Sequence, residues 1–137
     1  MKNLFISLII CGLTVLIGCN KKEDTSERFK LLTGPVWLTD SLLADGIDAG
    51  GPGMILAKFK GEAKFNEDGT GDFGIYHGTW VFWYQETQLV ILADSFPIPL
   101  ITLIKELTPA SLKVKTSVPN MSDLSDTIDI RMTFNAK

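Results

Sequence analysis

Between positions 57 and 66 the chain alternates without exception. Ala57, Phe59, Gly61, Ala63 and Phe65 take the odd positions, and Lys58, Lys60, Glu62, Lys64 and Asn66 take the even ones. A period of two sends these sets to opposite faces of an extended backbone, so the segment predicts a strand with one buried and one wetted face. The same pattern returns near the end of the chain, where Ile128, Ile130, Met132 and Phe134 alternate with Asp129, Arg131 and Thr133. Leu112 and Val114 alternate with Lys113 and Lys115 in between. No helical period of crossover length separates these runs, which excludes a parallel sheet.

Turn-forming clusters divide the rest into short pieces. Strands are predicted over 36–43, 57–66, 71–76, 79–84, 88–93, 100–107, 111–117 and 127–135, eight in all. Gly69 supplies positive φ for a tight hairpin at 67–70, and His77-Gly78 and residues 85–87 turn the chain again. Segments 44–53 and 118–126 read as loops, the first rich in glycine. Ahead of the strands, 26–33 predicts a short helix capped by Ser26 and ended by a left-handed Gly34. The expected fold is all-β: an eight-stranded antiparallel up-and-down barrel with a short N-terminal helix, with a β-sandwich as the alternative.

The first residues follow other rules. Lys2 is followed by an uncharged apolar run over 4–17, shorter than the ~20 residues a spanning helix needs. It closes on Leu16-Ile17-Gly18-Cys19, which resembles the lipobox of bacterial lipoproteins. The resemblance implies that 1–18 is a removed signal peptide and that Cys19 carries acyl chains, which bind a membrane at about 0.8 kcal/mol per buried CH₂. Asn20 to Arg28 are nine residues without an apolar side chain, a tether of up to about 30 Å. Their Lys21-Lys22-Glu23-Asp24 cluster resembles the export signal of Bacteroidota-type surface lipoproteins. A plain solvated linker is the other reading. Three units are expected: signal peptide 1–18, lipidated Cys19 with its tether over 19–28, and a barrel domain over 29–137. The implied location is the outer membrane, facing the cell surface.

The folded part is similar to small bacterial lipocalin-like domains of the calycin type. The similarity rests on "LLTGPVW" (31–37), "FNEDGTG" (65–71), "GTWVF" (78–82), "IKELTPASLKV" (104–114) and "IDIRMTF" (128–134). It implies a barrel interior, open to a small apolar ligand or filled by its own side chains, lined by Phe59, Phe65, Trp80, Phe82, Ile130, Met132 and Phe134. It also implies a structural stack of Arg131 over Trp37, a cation–π contact of about 0.5–2 kcal/mol.

Reactive chemistry is scarce. His77 is the single histidine of the chain, and Cys11 lies within the targeting run, leaving Cys19 as the mature protein's one cysteine. A transition-metal or thiol site therefore has almost no ligands, and no metal or cofactor is expected. Asp68-x-Thr70-x-Asp72 has the spacing of a calcium loop but lacks its later glycine and glutamate. Asp123, Asp126 and Asp129 read as a solvated group, and no serine sits in a Gly-x-Ser-x-Gly turn. Asp40-Ser41-Leu42 and Asp126-Thr127-Ile128 resemble a three-residue O-glycosylation motif. A net charge of −3 gives no basic footprint for nucleic acid. No catalytic residue is expected.

Trp80, Phe82, Trp83 and Tyr84 place apolar side chains on both faces of one strand. Either the helix covers the second face, or it meets a ligand or a partner. The expected function is that of a lipid-anchored envelope protein whose barrel binds a small hydrophobic ligand, with a non-catalytic accessory protein of filled barrel as the alternative. In the second, loops 44–53 and 118–126 would meet an envelope protein partner.

Overall fold

The computed structural model describes residues 25–137, so the expected signal peptide, Cys19 and most of the expected tether lie outside the described residues. A helix, α1 (Glu27–Thr33), leads into β1 (Trp37–Ala44) and a two-residue β2 (Ile47–Asp48). Then follow β3 (Glu62–Phe65), β4 (Thr70–Phe73), β5 (Tyr76–Trp83), β6 (Gln88–Ala93) and β7 (Leu100–Leu107). The long β8 (Ser111–Asn120) and β9 (Asp123–Ala136) complete the chain. Each strand from β3 to β9 pairs antiparallel with the next, and β9 returns to β1 over seven residue pairs from Trp37↔Ala136 to Ala44↔Ile130. That return pairing closes an eight-stranded barrel, with β2 hairpinned onto the end of β1 outside the ring. Two stacked sheets would leave edges, so the sandwich is excluded.

Alternation explains the strands that form. In β8, Leu112, Val114, Thr116 and Val118 point inward while the lysines point out, and in β9 Ile130, Met132 and Phe134 do the same. Glycine permits the closest approaches. A Cβ on Gly78 would overlap the Leu92 carbonyl oxygen in the neighbouring strand. Gly74, at φ 63°, turns β4 into β5 where a side chain would strike the Lys58 carbonyl. The turn expected at His77-Gly78 is therefore displaced to Gly74-Ile75, and His77 lies within β5.

Four other expectations change. The alternating run over 57–66 is not one strand: Ala57–Phe59 is a 3₁₀ turn and only Glu62–Phe65 pairs. Gly61, at φ 121°, breaks the run, and Thr39 Oγ1 accepts its amide at 3.1 Å. The loop expected over 118–126 is mostly strand, because β8 and β9 continue pairing through Pro119↔Thr127 to a turn at Met121-Ser122. Segment 44–53 opens as a β1–β2 hairpin with left-handed Asp45 and Gly46, then folds inward so that Ala49 and Leu56 are buried. The helix is capped by Ser26, whose Oγ accepts the Phe29 amide at 3.0 Å, but Gly34 ends it with right-handed geometry.

Candidate functional site

The barrel interior and the outer face of β5–β7 gather most of the sequence's aromatic and apolar candidates. Phe65, Trp80, Ile130, Met132 and Phe134 are buried inside the ring, and Phe82 is half-buried below Trp80 with ring centroids 5.5 Å apart. Phe59 is also buried, but it enters from the 3₁₀ turn and packs its ring 4.8 Å from Tyr76 and 5.4 Å from Phe96. This trio caps one end of the barrel. The other end is closed by α1, where Leu32 is fully buried and Phe29 lies 5.7 Å from Trp80.

What remains between these caps is small. The interior cavity measures about 20 Å³, with Phe59, Phe65, Phe73, Leu89, Met132 and Phe134 among its lining residues. That is room for about one water molecule, so the barrel in this state is filled by its own side chains. Phe73, Leu89 and Leu112 also line the cavity and are buried. Leu89 and Leu112 sat in readable strands, and Phe73 next to glycines that hid its alternation. Phe96, in a proline-broken connection, carried no periodic signal at all.

Trp37 and Arg131 do not stack. Trp37 is fully buried and its indole N–H donates to the Leu32 carbonyl at 3.0 Å. In the register of β1 against β9, Trp37 lies opposite Ala136 while Arg131 lies opposite Leu43, near the other end, and Arg131 faces solvent. The cation at the Trp37 end is Lys64. Its Nζ donates to the carbonyls of Thr33, Gly34 and Pro35 at 2.5, 3.0 and 3.1 Å, which ties the helix C-terminus to β3. Its place in the alternating run marked it only as outward-facing.

The polar candidates resolve into local structure. Asp68 Oδ1 accepts the Thr70 amide at 2.9 Å and its hydroxyl at 2.6 Å, a turn interaction that holds the Asp68 carboxyl below its ordinary range. Asp123 is held down by Ser125 in the same way. Asp129 is lowered first by the Ser117 hydroxyl and then by Lys115. His77 pairs across the strands with Asp72, exposed to water. Among the described residues, no three His, Cys, Asp or Glu side chains converge on a metal position.

The outer face of β5–β7 is apolar and, among the described residues, uncovered. Val81, Val90 and Ile101 form one cross-strand row, and Trp83, Gln88 and Leu103 form the next. Val81, Trp83, Ile101 and Leu103 are 52%, 59%, 56% and 40% exposed. Helix α1 covers the barrel end beside Trp80, so it leaves this second face of β5 open. Beside it, Lys105, Lys113, Lys115 and Arg131 line a shallow groove over β7–β9.

The solved structure of bovine odorant binding protein, in complex with a selenium-containing odorant, aligns with 85% of this chain and 77% of its own. The sequence identity is 16% and the TM-score 0.49. No protein-family model and no curated protein sequence matches the chain. Barrel closure follows from the strand pairing itself, and helix placement from the contacts of Phe29, Leu32 and Thr33 with Trp80, Trp37 and Lys64.

Proposed function

We propose that this protein is a lipid-anchored envelope lipoprotein whose filled barrel serves as a rigid, non-catalytic scaffold and acts through its exterior. The cavity of about 20 Å³ carries the scaffold half of this reading, since a molecule of even a few heavy atoms would have to displace core side chains. Leu16-Ile17-Gly18-Cys19, after Lys2 and an apolar run, supports the anchor. Cells expressing the full chain and fed labelled palmitate should yield labelled protein whose N-terminal residue is an acylated Cys19. An unlabelled protein that retains residues 1–18 would refute the anchor. Native mass spectrometry of the purified protein should find the polypeptide with its acyl chains and nothing else.

A small hydrophobic ligand is the second reading, and the wholly apolar lining favours it. Phe59 stands on a 3₁₀ turn outside the strand ladder, so its ring has a route aside that strand residues lack. Cavity space would then be made by moving Phe59 and the unbranched Met132. A retained small molecule in the native mass spectrum, released on denaturation, would establish this reading and displace the scaffold.

A further inference from the structure

The tether leaves the barrel at a defined place. Ser26 Oγ donates to Glu86 Oε1 at 2.6 Å and Arg28 Nε donates to the Glu86 carbonyl at 3.0 Å, so the start of α1 is pinned to the β5–β6 turn. That turn carries Tyr84, 73% exposed, directly after Trp83. Tyr84, Gln85 and Glu86 all hold left-handed φ, of 50°, 56° and 62°. A bulky aromatic in that region is costly, and here Tyr84 adopts it with its ring in solvent and not in the core.

Six residues separate Cys19 from Ser26. Fully extended they span at most about 25 Å, so acyl chains on Cys19 would leash this turn close to a bilayer. The opposite barrel end lies about the length of β8 away from this turn, ten residues or roughly 30 Å.

We infer that the outer face of β5–β7, led by Trp83 and Tyr84, rests on the lipid surface that holds the Cys19 acyl chains. This rests on the lipoprotein reading above. Trp and Tyr suit the headgroup level because each joins an apolar ring to a polar edge. Val81, Ile101 and Leu103 continue the apolar surface inward from the turn. Lys105, on β7 beside Leu103, borders it and forms no ion pair among the described residues, which suits an anionic headgroup.

Tryptophan emission tests this directly, since Trp37 and Trp80 are buried and Trp83 alone of the three is exposed. The full lipidated protein would be reconstituted into phosphatidylcholine–phosphatidylglycerol vesicles whose acyl chains carry bromine, a contact quencher of indole. Emission should fall relative to unbrominated vesicles, and Trp83→Phe should abolish that loss while circular dichroism stays unchanged. Ile101→Glu, on the same face two strands away, should restore Trp83 emission while the acyl chains keep the protein floating with the vesicles. Floating wild-type protein with unquenched Trp83 overturns the inference and leaves the anchor intact. Light scattering would then show whether a second copy covers the face. Protein that carries no acyl chain and does not float overturns the anchor, and this inference with it.

Discussion

Lys64 and Arg131 have exchanged the roles their positions suggest. Lys64 reaches three carbonyls at the end of α1, whereas Arg131 stands in solvent on the outer face of β9. Lys64→Met keeps the aliphatic stem but leaves those carbonyls without their donor, and should cost about 1–3 kcal/mol in urea unfolding. Arg131→Ala should stay within about 0.5 kcal/mol of wild type in the same measurement. Alternation identified both as outward-facing. It could not tell which one arches over a barrel end, because that depends on where the helix docks. In the core, Leu112 is fully buried and Leu112→Ala should cost about 2–5 kcal/mol. The exposed carboxylates set the acid limb of stability. Asp68, Asp123 and Asp129 have folded pKa values below the ordinary 3.8, so their contribution is complete above that value and disappears as pH falls through the lowered ones. Melting temperature should therefore decline below about pH 4. Ser117→Ala, which removes the main support of Asp129, should flatten that decline.

At the scale of elements, the strands with one wet face were legible and the places where the chain leaves the ladder were not. β8 and the inner half of β9 announce themselves through Leu112, Val114, Ile130, Met132 and Phe134. The outer part of their hairpin is mostly polar, with Asp123, Leu124 and Asp126 all exposed, so no period of two survives to mark it as strand. The run over 57–66 errs the other way. Its parity is unbroken, yet Gly61 rotates the backbone, and Phe59 reaches the interior as a cap instead of as a strand residue. Helix α1 was readable from Ser26 because an N-cap is a local signal. The bonds from Ser26 and Arg28 to Glu86 join residues nearly sixty positions apart, and no local pattern encodes them. Ser26→Ala removes the cap and the Glu86 contact together. It should cost about 1–2 kcal/mol and raise amide exchange in α1 ahead of the barrel strands, read by hydrogen–deuterium exchange.

For the whole molecule, eight strands with one apolar face each implied a barrel, and the β1–β9 pairing supplies its closure. Whether the interior was open or filled could not be read from apolar rows, since both states use the same residue types. Volume decides it, and volume depends on the caps at each end. Met132→Ala should create space inside the ring and let a small apolar fluorophore bind where wild type binds none, at a stability cost of about 2–5 kcal/mol. The closure has a temporal consequence as well. β1 makes only two pairs with β3, and its main partner, β9, lies about a hundred positions later in the chain. Until the last strand emerges, the nascent sheet therefore exposes two bare edges able to pair with other chains. A chain truncated before β9 should then aggregate instead of folding to a smaller barrel, and the fourteen residues of β9 act as the latch that ends that vulnerable interval.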